Sequence, residues 1–216
     1  QNIKPGALIS IESTLPPLTM RNLVIPTIEE ESGLKAGKDF FVAHCPERVM
    51  PGRLLSNLAN YDRVLGGLDE RSIELGIELY SNIVHAKLHP TDLLSAEMAK
   101  TLENAYRDVQ IAFANEVALA CEELGADAFE VRNLVNTCPF RDMHIPGAGV
   151  GGHCLPKDSW LFASSLKKVK PRIMTTAREV NEYMPVRMVE LVKEGLEEAG
   201  VELNSAKVAI MGLAFL

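Results

Sequence analysis

Long apolar runs are missing from this sequence, and so is any excess of positive charge. No window approaches the roughly 18–20 uninterrupted apolar residues that a membrane helix needs. Residues 1–20 hold no basic head followed by an apolar stretch, so neither a membrane partner nor a secretory signal is expected. Lysine and arginine number 22 against 29 aspartates and glutamates, a net charge of −7. Nucleic acid is therefore not expected as the main partner, since phosphate backbones require clustered cations; a small anionic ligand held by a local patch remains compatible. Cysteine is scarce. Cys45, Cys121, Cys138 and Cys154 form no C-x-x-C pair or other zinc spacing, so no metal is expected, and the pattern suits a reducing, cytoplasmic environment. Cys121, inside ALACEEL, reads as a small core residue. Repeats and low-complexity segments are absent. What remains is a globular composition, 47% hydrophobic and 24% charged over 216 residues, enough for one large domain or two small ones.

The first 90 residues alternate in type. ALISIES (7–13), DFFVAHC (39–45), DRVLGG (62–67) and AKLHP (86–90) read as strands. Residues 17–32, with Pro26 as a kink, and 71–83 read as helices. Near-continuous apolar strands separated by helices point to an α/β layer with a mainly parallel sheet. From Asp92 the pattern becomes helical. Residues 91–125 make one run of about nine turns closed by Gly125, long enough to suggest a homodimer contact. Asp127 caps a shorter helix, residues 137–156 form a Pro/Gly-rich loop, Asp158 or Ser159 caps a helix over WLFASSLKK, and residues 175–200 are helical again. KVAIMGLAFL (207–216) reads as a buried strand, and QNIKPGALISIES enters a sheet without an opening strand. An internal piece of a larger protein is the expectation.

GAGVGGHCLPKD (147–158) contains the Gly-x-Gly-x-x-Gly spacing of a dinucleotide turn. That turn needs a strand before its first glycine and a helix after its third. RDMHIP is a poor strand and HCLP a poor helix start, so the spacing reads as a decoy. The glycines instead let backbone N–H groups approach an anionic ligand. Cys154, ahead of a helix N-terminus and near Lys157, stands where a thiolate nucleophile is favoured. On the long helix Lys100 and Asn104 share a face that Glu97 and Asp108 extend. That stripe is either a solvated polar face or, beside a thiolate, a lysine and an amide able to hold an oxyanion.

GVGGHCLPKD (149–158) and SAEMAKTLENAYRDVQIAFANE (95–116), with ESTLPP (12–17), HCPERVMPG (44–52) and KVAIMGLAF (207–215) in the same order, resemble the UDP-glucose/GDP-mannose dehydrogenase family. The match looks closest to its branch oxidising UDP-N-acetylhexosamines such as UDP-N-acetylmannosamine. The resemblance implies an NAD-dependent, two-step oxidation of C6 from alcohol to carboxylate. In it Cys154 attacks the intermediate aldehyde to give a thiohemiacetal, hydride loss gives a thioester, and water hydrolyses it. It further implies that Lys100 and Asn104 stabilise the oxyanion, that Asp158 stands near the catalytic water, and that Thr14 and Glu47 belong to a water network. Ser13, Thr14 and Lys157 fall on the cofactor side; Arg48, Val49, Lys100, Asn104, Arg141, Gly149, Gly151 and Gly152 fall on the substrate side. The implied domains are 1–91, the C-terminal part of a Rossmann-like NAD domain; 92–203, a central helical dimerisation domain with the cysteine loop; and 204–216, the first strand of a truncated UDP-binding α/β domain. Pro51 replaces an acidic residue of the UDP-glucose members. Two other classes stay open: a thiol hydrolase pairing Cys154 with His153 or His144, and a non-catalytic helical dimerisation module.

Overall fold

The computed structural model describes residues 2–50 and 52–212. By internal contacts the chain divides into two units, one of residues 1–103 and 161–169, the other of residues 104–160 and 170–215.

The first unit is built on a four-stranded sheet, β1 (Leu8–Ile11), β2 (Phe41–His44), β3 (Arg63–Gly67) and β4 (Leu88–Asp92), in that order. β1 pairs parallel with β2 and β3 parallel with β4, but β2 and β3 run antiparallel. The sheet is thus parallel in two of its three pairings, with a reversal at the centre. β2 is buried on both faces because its side chains alternate between two apolar layers. Phe40 and Val42 join Met20 and Leu93, whereas Ala43 and Cys45 join Leu65, Tyr80 and Val84. Burial pushes the Cys45 thiol up to about 11.

Pro26 acts where the sequence places it. It brings no N–H to the helical ladder, and the turn before it winds wide as a π-helix over Met20–Val24, Ile25 N donating to Met20 O. The regular helix α1 (Ile25–Ser32) follows, with Pro26 in its first turn. A short helix absent from the sequence reading, α2 (Leu54–Asn60), fills part of the β2–β3 connection. α3 (Glu70–Tyr80) starts where Asp69 accepts the Ser72 N–H at 2.8 Å.

α4 (Leu93–Leu124) is one continuous helix of 32 residues. Its first turns lie so close on β3 that a Cβ at Gly66 would stand 2.7 Å from the Ala96 side chain and 2.8 Å from the Asp92 carbonyl. Glu97, fully buried, accepts the N–H groups of Leu18 and Met20 at 2.7 Å each. It therefore caps the start of the π-turn from a distant point in the chain. Glu97 and Asp108 are both buried, as are Thr101 and Asn115. The polar stripe on α4 is a packed seam, and the solvated alternative is set aside.

His44, at the end of β2, is also fully buried; its Nδ1 lies 2.9 Å from the Ile11 carbonyl. Burial holds its imidazole below the ordinary histidine range against the opposing pull of that carbonyl. Above pH 6.5 the ring is neutral in both folded and unfolded chains. Below 6.5 the unfolded chain takes up a proton first, so folding stability falls as pH falls. Between pH 7 and 5.5 the wild-type protein should lose more stability than His44→Gln, whose amide keeps a donor for Ile11. Urea unfolding at both pH values reads this; equal losses would show that His44 carries no such linkage.

In the second unit α5 (Ala128–Val135) starts at Asp127, whose carboxylate accepts from Phe129 N and Glu130 N, as the sequence implied. α7 (Arg172–Glu198) packs through Ala177, Arg178, Asn181 and Met184. Arg178 Nη1 donates to Asp108 Oδ1 at 2.8 Å, with both side chains almost wholly buried. Residues 207–212 are irregular and mostly exposed, Met211 at 91%. No strand forms there among the described residues, and residues 213–216 of the expected strand lie outside them. An apolar run without a partner edge has no ladder to join.

Candidate active site

The sequence-predicted residues fall into two groups, one in each unit. In the first unit, parallel β1 and β2 end side by side, Ile11 opposite His44. Beyond β1 come Glu12, Ser13 and Thr14; beyond β2 come Cys45, Pro46, Glu47, Arg48 and Val49. The carboxyl ends of parallel strands are where α/β sheets place ligands. α4 begins after β4 and brings Lys100 to this edge, its Nζ 3.8 Å from Glu47 Oε1. The Lys100 side chain is only 11% exposed, so this cation has Glu47 as its near counter-charge. Glu47 Oε2 accepts the Val49 N–H at 2.9 Å, closing a local turn. Arg48 donates to the Asp62 carbonyl at 2.8 Å and pairs with Glu103, one turn beyond Lys100 on α4. Ser13 is exposed and Thr14 half-buried. Pro51 lies outside the described residues.

Glu12, Arg63 and Tyr80 also bear on this edge, and the sequence reading missed them. Tyr80 donates to Glu12 Oε1 at 2.7 Å, while buried Arg63 stands 3.5 Å from Glu12 Oε2 and 4.9 Å over the Tyr80 ring. Arg63 also donates to the Cys45 carbonyl at 2.7 Å. An arginine opening an apolar strand was the available signal.

α6 (Cys154–Ser164) begins in the second unit at Cys154, ahead of the cap expected at Asp158 or Ser159. Pro156 falls in its first turn, where a missing N–H does no harm. Asp158 is consequently not a cap. It stands one turn after Cys154, inside the helix and 1% exposed. Asn104 Nδ2 donates to Asp158 Oδ2 at 2.6 Å. The other oxygen, Oδ1, is buried without a hydrogen-bond partner, 3.9 Å from Lys157 Nζ. A buried carboxylate oxygen left open in this way is an acceptor for a further donor such as water. Cys154 is a free, exposed thiol at the helix N-terminus.

No strand feeds Gly147, so the dinucleotide spacing is a decoy in structure as well, although a helix does follow Gly152. Gly149 has φ +97, and a Cβ there would lie 2.5 Å from the Asn181 carbonyl; Gly151 and Gly152 face open space. Arg141 is exposed and reaches the carbonyls of Pro139 and Phe140 at 3.5 Å. Among the described residues neither His153 nor His144 hydrogen-bonds Cys154, and no cluster of three metal-ligating side chains exists. No helix among them is long and apolar enough to cross a membrane.

Two family models match along the chain. Residues 1–84 match the NAD binding domain of the UDP-glucose/GDP-mannose dehydrogenase family, and residues 94–183 match its central domain. The chain belongs to this family. Among family members, a UDP-N-acetyl-D-mannosamine dehydrogenase of Pyrococcus horikoshii is 43% identical over 210 residues, 97% of this chain and 50% of that protein. A solved UDP-D-ManNAc dehydrogenase from the same organism superposes with a TM-score of 0.92 at 43% identity, covering 99% of this chain and 50% of that one. An NDP-N-acetyl-D-galactosaminuronic acid dehydrogenase from Methanosarcina mazei gives 0.84 at 42% identity, covering 92% and 45%. The chain thus spans about half the length of the curated family members it matches.

Proposed function

We propose that this chain supplies chemistry residues to an NAD-dependent nucleotide-sugar dehydrogenase that oxidises C6 of a UDP-N-acetylhexosamine, UDP-N-acetylmannosamine first, to the uronate. The observation that carries this reading is the set on α4 and α6: an exposed Cys154 thiol, a buried Asp158 one turn on, and Asn104 bonded to it. Cys154 Sγ adds to the C6 aldehyde, forming a C–S bond as the carbonyl oxygen takes up a proton. The second Asn104 amide hydrogen, not used by Asp158, and the Lys100 ammonium one turn earlier on α4 stabilise the oxyanion. Loss of the C6 hydride to bound NAD+ and of the hydroxyl proton would turn this thiohemiacetal into a thioester; water then cleaves it, releasing carboxylate and regenerating the thiol, with the open oxygen of Asp158 holding that water or taking its proton. Glu47, 3.8 Å from its Nζ, positions Lys100.

The hydroxyls of Ser13 and Thr14, at the carboxyl edge of parallel strands, fit the reactive end of a dinucleotide, and Lys157 fits its phosphates. NAD+, when bound, takes the hydride released at each of the two oxidations. We further propose a homodimer through α4 and α7, where Val109, Ala112, Phe113, Ile173 and Val180 line an apolar groove of about 330 Å³. A cytoplasmic location goes with four unpaired cysteines.

A panel of UDP- and GDP-sugars given to the full-length protein tests the substrate. UDP-N-acetylmannosamine should yield two equivalents of NADH per sugar, with kcat/KM at least about tenfold above UDP-glucose and GDP-mannose, since a pocket built to bond an acetamido group rejects analogues lacking it. Preference for UDP-glucose or GDP-mannose would reject the acetylhexosamine assignment, and NAD-independent thiol hydrolysis would reject the oxidation altogether.

A further inference from the structure

The glycine loop before Cys154 is seated on a buried polar chain that the mechanism above does not use. Asn115, on α4 and fully buried, accepts the Gly147 N–H on its Oδ1 at 2.8 Å and donates through Nδ2 to Asn181 Oδ1 at 2.9 Å. Asn181 Nδ2 donates in turn to Asp108 Oδ1 at 2.8 Å, and Arg178 donates to the same oxygen. Two residues after Gly147, the backbone touches this assembly again. Pro185 lies inside α7 and has no N–H, so the carbonyl four residues back, that of Asn181, lacks its usual helical donor. Gly149 packs against that carbonyl, with the proline ring also in contact range; a Cβ would stand 2.5 Å from the oxygen and 3.1 Å from Pro185 Cδ. Asn181 therefore faces the loop with its main chain while its side chain reaches back to α4.

We propose that Asn115 and Asn181 are positioning residues: they hold the Gly147–Gly149 segment in register and so fix where the loop delivers Cys154. A buried amide with both of its polar ends in use costs free energy to break, and Gly147 lies only seven residues before the thiol. The network touches no reacting atom. Its effect is on the angle and reach of the sulfur, to which thiol chemistry is sensitive. This inference rests on Cys154 being the nucleophile.

The test uses the full-length protein and three variants, Asn115→Ala, Gly149→Ala and, one turn beyond Asn115 on α4 and with no side-chain part in the hydrogen-bonded chain, Leu119→Ala as a stability control. Alkylation of Cys154 by iodoacetamide is followed by mass spectrometry, with exposed Cys138 as the internal reference. Asn115→Ala and Gly149→Ala should each change the Cys154-to-Cys138 rate ratio at least about fivefold and lower kcat about tenfold or more, with KM changed less. Leu119→Ala should leave the ratio and kcat at wild-type values even where it lowers Tm as much. If Asn115→Ala does not fold, Gly149→Ala carries the test alone. Wild-type ratios in the loop variants, or an equal change in Leu119→Ala, would overturn the proposal. Should Cys154→Ser retain full oxidation while the ratio still shifts, the nucleophile assignment fails and the positioning does not.

Discussion

Replacing Cys154 by serine in the full-length protein is expected to lower uronate formation by about 10³-fold or more, with sugar-nucleotide affinity changed only a few-fold. The physical reason is the nucleophile. A thiolate adds to an aldehyde near neutral pH and leaves as a good leaving group when water attacks the thioester, whereas a serine hydroxyl has neither property without a base aimed at it. Asp158, one turn on in the same helix, already accepts from Asn104. Coupled measurement of NADH and uronate, with isothermal titration of the sugar nucleotide, checks both halves. Activity within tenfold of wild type would remove Cys154 from the chemistry.

The second large effect concerns stability. Arg178→Met should destabilise the fold by about 3–5 kcal/mol, because it strands Asp108 at zero exposure with one oxygen, Oδ2, already lacking a partner. Burial pushes the Asp108 carboxyl up even with Arg178 beside it, so the desolvation cost is real in the wild-type protein. Adding Asp108→Asn to Arg178→Met should recover about half of the loss or more, since the amide retains an acceptor for Asn181 and carries no charge. Urea melts of the single and double variants decide. A single-variant loss under about 1 kcal/mol would mean the site is hydrated.

Much of this architecture is written in local patterns. Strand–helix alternation before residue 91, the cap at Asp127, the kink at Pro26 and the single helix closed by Gly125 follow from side-chain periodicity and turn chemistry, which act within a few residues. What escaped the sequence is long-range. The antiparallel reversal between β2 and β3 depends on how a connection containing α2 turns, and Leu54–Asn60 is too short to show a helical period. The start of α6 was misjudged because Pro156 looked like a barrier, although a first-turn proline is harmless. The polar stripe on α4 shows the same limit from the other side. Lys100 and Asn104 sharing a face was plain from spacing, but nothing local marks Glu97 as a cap for residues 18–20, or Asp108 as the partner of Arg178, 70 positions away. In the candidate site, the residue types and their order were readable; the bond between Asn104 and Asp158, and Lys100 beside Glu47, needed the fold.

Proline at 185 subtracts a hydrogen from the main chain, glycine at 149 subtracts a carbon, and the two deficits meet at one carbonyl oxygen. Engineering that repaired either alone, smoothing α7 into an uninterrupted rod or stiffening the loop with alanine, would improve a local propensity and spoil a fit. Stabilising changes in this region have to be chosen as matched pairs, because neither position can be judged at its own address.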